Sequence, residues 1–219
     1  MATDTLHGGT LAERVTVQLR NDILNRQFEV GERITIKEIS EKYGVSNMPV
    51  REAFRTLEGE SLLEINAYKG ATVLMLDRVF IQEVYGILRA LEGLIYETAV
   101  PNMDAQTIAE LRDWNRQIRA VITESGRKDL FVQMNGEFHD RIIALGTNRK
   151  AKEMYRYYHS LVKSLRQNYM PSYERCCKAC DEHEEILNAF EAQDLVRLRE
   201  AVDSHSRGAM ADFLSQYTE

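Results

Sequence analysis

Residues 35–58, TIKEISEKYGVSNMPVREAFRTLE, hold the chain to a narrow set of folds, because they spell two short helices joined by a turn built on one glycine. Thr35 stands three residues before Glu38, the spacing of a capping box, and Ile34, Ile36, Ile39 and Tyr43 set apolar side chains at helical intervals around it. A helix is expected to start there. Gly44 suits a helix terminus that takes positive φ, Val45 offers an apolar plug for the turn, and Ser46 is a candidate N-cap for the next helix. That second helix is expected from about Asn47. Pro49 falls in its first turn, where no intrahelical donor is lost, and Val50, Ala53, Phe54 and Leu57 line one face, the core side. Arg51 and Arg55, four residues apart, share another face, in the part of a recognition helix that enters a major groove.

The flanks extend this unit. An amphipathic helix is expected over 10–25, with its own capping box of Thr10 and Glu13. Leu63, Ile65 and Val73, around a turn Asn66-Ala67-Tyr68-Lys69-Gly70, suggest a small β-hairpin within 62–76. Three helices and a hairpin make a winged helix over 10–76, preceded by a flexible N-terminus at 1–9. The ordinary alternative for Arg51 and Arg55 is pairing with Glu52, Glu58 or Glu60 on a solvated helix.

Composition bounds the rest. The 219 residues, 44% hydrophobic and 28% charged, suffice for one large domain or two modest ones. No segment approaches the ~20 apolar residues of a membrane span, and residues 1–9 lack the pattern of a signal peptide, so a cytoplasmic protein without a membrane partner is expected. The net charge of −6 argues by itself against nucleic acid. Local positive potential at a groove is nevertheless compatible with an acidic second domain that dominates the total. Cys176, Cys177 and Cys180 fall within five residues. Adjacent helical cysteines do not readily bridge; Cys177-x-x-Cys180 reads either as reduced thiols or, more weakly, as a redox pair or a partial metal site with His183.

From residue 77 onward strand-like alternation disappears, and 77–219 reads as an all-α antiparallel bundle of six or seven helices, with patterns over 77–99, 104–124, 129–145, 149–168, 173–192 and 194–217. Asp104, Asp129 and Asp194 are candidate caps, and Gly146 closes the third of these helices. His139, His183 and His205 fall on three separate helices, with Asn135 one turn before His139 on the same face. Histidines facing a bundle interior with an oxygen donor at i−4 suit a divalent metal; three unrelated, partly buried imidazoles are the competing reading.

The run FEVGERITIKEISEKYGVSNMPVREAFRTLEGESLLEINAYKGATV resembles the DNA-binding domain of the GntR family of bacterial transcription regulators, from Gly31-Glu32-Arg33 through Pro49-Val50-Arg51-Glu52-Ala53 to Lys69-Gly70. The resemblance implies double-stranded DNA as partner, with Lys37, Ser46, Asn47, Met48 and Arg51 at phosphate or base contacts, and Lys69 and Gly70 in the wing. Arg55 joins them from its place on the helix. Asn47 stands where arginine is common in that family, which points away from guanine and towards adenine. The segments NGEFHDRIIALGTN, CDEHEEILNAF and DLVRLREAVDSHSRGAM resemble the helical effector-binding FCD domain of the family's FadR branch. That resemblance implies a divalent transition metal, zinc or nickel, on Asn135, His139, His183 and His205, with Asn135 where aspartate is frequent. It also implies effector contacts at Arg89 and Glu92, Arg89 clamping the carboxylate of a small organic acid; an Arg89 to Glu92 surface pair is the plainer reading. The whole reads as a non-enzymatic, ligand-responsive regulator, expected to be a repressor, acting as a homodimer on an inverted repeat. Two rivals are a metal-dependent hydrolase using Glu184 or Glu137 as base, and a winged helix that binds protein. The tyrosines at 155, 157, 158 and 169 are assigned no role.

Overall fold

The structure is a computed structural model describing residues 10–67, 69–74, 77–166 and 169–217. The N-terminus at 1–9, Tyr68 of the hairpin turn, the last residues expected of the wing at 75–76 and the far end of the helix expected to reach 168 lie outside the described residues. The chain divides into two compact units, Met1–Asp77 and Arg78–Glu219.

In the first unit, α1 (Leu11–Leu24), α2 (Ile36–Tyr43) and α3 (Asn47–Gly59) surround a core that includes Leu19, Ile39, Val50, Phe54 and Leu57. The capping boxes Thr10–Glu13 and Thr35–Glu38 are formed in both directions, which fixes where α1 and α2 begin. Gly44 ends α2 in the left-handed region at φ 65°. Ser46 occupies the N-cap position of α3, but its hydroxyl makes no capping bond. Pro49 stands at the third helical position and has no N–H to offer, which removes one of the two usual capping donors. The Ser46 side chain stays exposed. Strands β1 (Arg33–Ile34), β2 (Leu63–Asn66) and β3 (Gly70–Val73) form an antiparallel sheet in the order β1-β3-β2, with Leu63 opposite Val73 and Asn66 opposite Gly70. The wing is therefore a hairpin whose return strand is held on both sides.

The second unit holds six α-helices: α4 (Arg78–Ala99), α5 (Ala105–Ala120), α6 (Lys128–Leu145), α7 (Arg149–Leu165), α8 (Tyr173–Glu191) and α9 (Leu195–Gln216). Asp104 and Asp194 cap α5 and α9, and Ser172 caps α8. Asp129 does not cap α6; the helix starts one residue earlier and Asp129 pairs with Arg127 from inside the first turn. A π-turn at Val121–Ser125 prolongs α5 to Gly126, whose φ of 64° stops it. Gly146 follows α6 with negative φ; a Cβ there would press on Ile95, so its smallness serves the contact of that corner with α4. Helix α4 packs on α7 and α9, α8 on α9 and α5, and α6 on α4 and α5. Tyr96, Ile95, Phe138 and Phe190 are fully buried at the centre.

Of the three glycines of the winged unit with positive φ, Gly31, Gly44 and Gly70, the last two differ in what surrounds them. Gly44 has open space around its missing Cβ, whereas a Cβ on Gly70, at φ 91°, would run into the Ile34 carbonyl oxygen. Gly44→Ala is expected to cost only the left-handed backbone penalty of about 1–2 kcal/mol. Gly70→Ala is expected to cost more, because the β1–β3 pairing must open as well. Chemical denaturation of the two variants beside the wild type checks the order, and equal losses would contradict the steric argument.

Candidate functional site

The three bundle histidines converge from α6, α8 and α9, with one ring nitrogen of each inside a group spanning at most 4.8 Å. All three are buried. Each ring has its Nδ1 committed to an outer partner. His139 Nδ1 lies 3.3 Å from Glu92 Oε1 and 2.8 Å from the Tyr96 hydroxyl. His205 Nδ1 lies 2.8 Å from Glu182 Oε2. His183 Nδ1 lies 2.9 Å from Asn115 Oδ1. The orientation of Asn115 follows from its other end, since its Nδ2 donates to the Cys180 carbonyl at 2.9 Å and to Glu184 Oε1 at 2.8 Å. A carboxylate or amide oxygen only accepts, so these partners place the proton of each neutral ring on Nδ1 and leave Nε2 as a lone pair.

That assignment has a consequence for charge. His139 Nε2 and His205 Nε2 face each other at 3.1 Å, and two lone pairs at that distance repel unless a positive species lies between them. Protonation of His183 and His205 is opposed. Burial pushes His183 well below the usual imidazole value, the neighbouring His205 and His139 adding to it. Burial likewise lowers His205, against the opposite pull of its bond to Glu182. A divalent cation needs unprotonated rings, and the edge of a tetrahedral site with bonds of ~2.0–2.1 Å is roughly 3.3 Å. Three buried side-chain polar atoms among the described residues lack any partner: the Tyr85 hydroxyl, His183 Nε2 and Asn135 Oδ1. His183 Nε2 belongs to the histidine group, and Asn135 lines the same cavity as His139 and His205. The donor set therefore fits a metal ion, with His139, His183 and His205 as nitrogen donors and Asn135, one helical turn before His139, as an oxygen donor.

Above this centre opens a cavity of about 690 Å³, walled by α4, α6, α7, α8 and α9. Glu92, Asn135, His139 and His205 belong to its lining. Cations enter it from α7, the turn after it and α8, as Lys163, Arg166 and Arg175, with Tyr155 and Tyr169 supplying aromatic wall. Arg175 is buried and grips Glu182 through both guanidinium nitrogens, bracing the carboxylate that orients His205. A Cβ on Gly208 would meet the Arg175 Nη1 at 2.5 Å, so α9 carries a glycine where this guanidinium passes. Arg166 stacks over the Tyr169 ring at 4.6 Å and makes no carboxylate pair among the described residues; the same holds for Lys163.

Arg89 does not reach the cavity. Its Nε pairs with Asp203 on α9 at 2.8 Å, and it is absent from the lining, so the expected carboxylate clamp is not where the first-helix motif suggested. Nor does it pair with Glu92, which is buried. Burial alone would raise the Glu92 carboxyl; its bond to His139 and the nearby imidazoles hold it low. Glu184 faces Arg112 and Asn115 rather than the cavity, which removes it as a base beside the histidines, while Glu137 lines the cavity and accepts from Gln133. Burial pushes the Cys176 and Cys180 thiols up to about 11 and about 12, which makes them poor nucleophiles and ligands at neutral pH. The residues that sequence reasoning missed are Asn115, Glu182, Arg175, Lys163 and Arg166. A signal existed for two of them: Arg175 and Glu182 lie seven apart, on one face of α8, directly before His183.

The winged unit presents its own candidate face. Arg51, Arg55, Asn47, Met48, Lys37 and Lys69 are all exposed. Arg51 and Arg55 form no ion pair among the described residues. Two acids expected as their partners are occupied, Glu60 by Arg20 at 2.5 Å and Glu58 by the Ile65 amide at 3.0 Å. Asn47 Oδ1 accepts from Ser40 Oγ at 2.9 Å, which orients the amide and turns Nδ2 outward as a donor. Lys37 lies 3.9 Å from Glu41, too far and too exposed to be held. Arg33 donates to the Lys69 carbonyl and ties the wing tip to β1. The acidic excess is not confined to the second unit, as residues 1–77 hold nine Lys/Arg against twelve Asp/Glu. Capping boxes and ion pairs absorb several of those acids, which leaves the α3 cations uncompensated.

Comparison with known proteins bears on both units. Residues 83–208 match the FCD domain family, and residues 11–73 match the bacterial regulatory proteins of the gntR family. The chain is 25% identical over 188 residues to the uncharacterised HTH-type transcriptional regulator YdhC of Bacillus subtilis (strain 168), covering 86% of this chain and 84% of the relative. It is 24% identical over 186 residues to the gluconate operon transcriptional repressor of the same organism, covering 83% and 76%. Among solved structures, E. coli McbR/YncC superposes with a TM-score of 0.64 at 20% identity, covering 96% of this chain and 100% of that one. A GntR family member from Pseudomonas syringae pv. tomato str. DC3000 gives 0.53 at 24%, covering 94% and 85%.

The outer partner of His183 supplies a test of the centre. Asn115→Leu removes the acceptor from Nδ1 and is expected to weaken divalent-metal binding by about 10–100-fold. Asn115→Asp keeps an acceptor and is expected to retain most of the affinity. Competition against a chromophoric chelator measures both, and equal losses in the two variants would rule out an orienting role for Asn115.

Proposed function

The chain belongs to the GntR family of bacterial regulators and carries an FCD domain, and from that premise we propose a cytoplasmic homodimeric repressor whose operator affinity is set by a small organic acid bound beside a divalent metal, zinc or nickel. The matched families are transcription regulators, not enzymes, and the winged helix and FCD domain imply DNA and a small-molecule effector as partners. No helix among the described residues is long and apolar enough to cross a membrane. The observation that carries the acid-sensing part is that His139 and His205 of the three-histidine group line a cavity whose wall also holds two cations without carboxylate partners among the described residues, Lys163 and Arg166. A bound metal would supply a Lewis-acidic point that orients an anionic oxygen. His139, His183, His205 and Asn135 would hold it, and Glu92, Asn115 and Glu182 fix the rings. Arg166 and Lys163, rather than Arg89, receive the acid's other polar end. The name of the gluconate operon repressor fits an acid of the sugar-acid class.

Support for the homodimer comes from α4, where Ile87, Ala90 and Leu94 recur at spacings of three and four and are exposed. The same helix gives the site a way to act on DNA. It begins directly after Asp77 and carries Glu92 against His139, so a change at the centre bears on the first element of the bundle. Acid and operator then bias one two-state equilibrium, and each alters the other's affinity by the same factor.

On the DNA side, Lys37, Ser46, Asn47, Met48, Arg51 and Arg55 are assigned to the major groove and its phosphates, and Lys69 with Gly70 to the wing. A duplex site selected from a randomised pool and followed by fluorescence anisotropy tests this. Arg51→Ala is expected to lose about 1–3 kcal/mol, roughly 5–150-fold in affinity, and to relax the preference at one position. Lys69→Ala is expected to weaken all sequences alike and lower the salt slope by about 1. Unchanged affinity for Arg51→Ala would remove α3 as the recognition helix.

On the acid side, small carboxylic acids are expected to raise the melting temperature, and chelator to abolish that rise. Arg166→Ala is expected to reduce the acid-dependent shift. Arg89→Ala, which loses only a half-exposed pair worth at most about 1 kcal/mol, is expected to leave it intact. The reverse ranking would restore Arg89 as the clamp.

A further inference from the structure

We infer that Ser40, a buried residue of α2, sets which base Asn47 reads: by holding the amide oxygen it makes Asn47 meet the duplex as a donor, so that the keto bases guanine and thymine are chosen over adenine and cytosine. This rests on the assignment of α3 to the major groove and goes beyond it to the chemistry of one base position. It also reverses the preference for adenine expected of an asparagine at this place.

Asn47 is the first residue of α3 and is exposed, in the part of a recognition helix that approaches base edges. Ser40 stands in the last turn of α2 and is only 7% exposed. Its backbone is fixed as well, since its carbonyl accepts from the Val45 amide at 3.0 Å across the turn between the two helices. The Ser40 hydroxyl donates to Asn47 Oδ1 at 2.9 Å and has no other acceptor among the described residues. Turning the amide over would leave that hydroxyl proton buried and unpaired, which keeps Oδ1 on the protein side.

An asparagine selects adenine by using both ends of its amide, the oxygen accepting from N6 and the nitrogen donating to N7. Here the oxygen is turned to α2, and Nδ2 with its hydrogens is what remains outward. In the major groove guanine presents two acceptors, N7 and O6, and thymine presents one, O4. Cytosine presents an amino donor, and adenine keeps only N7, beside an amino group that the amide hydrogens oppose. Two donors facing each other lose their water and gain no bond, so the amino bases are disfavoured. Guanine gains most, because both amide hydrogens find acceptors on it. Ser40 needs no contact with DNA; it is a positioning residue that acts through the amide it holds.

The test uses the full chain and the duplex site that the wild type selects from a randomised pool, with fluorescence anisotropy on all four bases at the position whose preference Asn47→Ala flattens. The wild type is expected to prefer guanine to adenine there by about 2–10-fold, the net effect of one hydrogen bond. Ser40→Ala frees the amide oxygen and is expected to turn the preference to adenine, a change of base that loosening of the fold would not produce. Ser40→Thr keeps the hydroxyl and is expected to keep guanine. Adenine preferred by the wild type, or guanine preferred equally by the wild type and Ser40→Ala, overturns the role of Ser40. If Asn47→Ala flattens no position while Arg51→Ala does, Asn47 reads no base and the inference fails with the recognition helix intact. If neither variant flattens one, the recognition-helix reading fails and the inference with it. If Ser40→Thr melts early, Ser40→Ala decides alone.

Discussion

Two imidazole nitrogens, His139 Nε2 and His205 Nε2, face each other across 3.1 Å inside the helical unit, and each ring has its other nitrogen turned to a carboxylate. Much of the second unit depends on holding that arrangement. Glu92 comes from α4, Asn115 from α5, His139 from α6, Glu182 and His183 from α8, and His205 from α9, so five of the six bundle helices contribute a polar group to one point. Polar groups buried this deeply destabilise a fold unless each is paired, and here each outer contact leaves the inner lone pairs as the remaining unpaired capacity. The protein thus concentrates its unsatisfied acceptors in one place, where a cation would resolve them.

The winged unit solves the opposite electrostatic problem. Its net charge is negative, yet it presents Arg51 and Arg55 free of carboxylates, because neighbouring acids have structural work. Glu13 and Glu38 close capping boxes, Glu60 is buried against Arg20, and Asp22 receives Lys42 at 2.8 Å and the Tyr43 hydroxyl at 3.0 Å. Burial would raise the Asp22 carboxyl, but these partners hold it below its usual value, so it stays charged and committed at neutral pH. Net charge is a poor guide when the acids are spent in place and the cations at the groove are not.

Legibility in the sequence tracks the range of the interactions. The capping boxes, the Gly44 terminus and the apolar face of α3 are rules within one or two helical turns, and the winged helix could be read from them directly. The absent Ser46 cap is also local, since Pro49 removes one of the two N–H groups an N-cap side chain can accept from. Arg89 pairs with Asp203 on another helix, more than a hundred residues away, and no spacing rule connects the two. For the same reason spacing alone left the three histidines undecided, and only the family resemblance grouped them. Asn115, which fixes the proton on His183, has nothing in its neighbourhood of sequence to mark it.

The cavity and the centre belong together because of where their unsatisfied groups lie. A metal site meant only to brace a fold is closed by four protein ligands, and charged thiolates or carboxylates usually balance the ion. Here the donors are neutral and the site opens onto about 690 Å³ walled by tyrosines and by two cations without carboxylate partners among the described residues. Those cations would repel a bare metal ion, which makes them a poor device for metal storage. They attract an anion, and an anion drawn to them lies beside the cation that lacks one. On the proposed reading, Lys163 on α7, Arg166 just beyond its end and the neutral donors on α6, α8 and α9 would meet two ends of one ligand, acidic at the metal end.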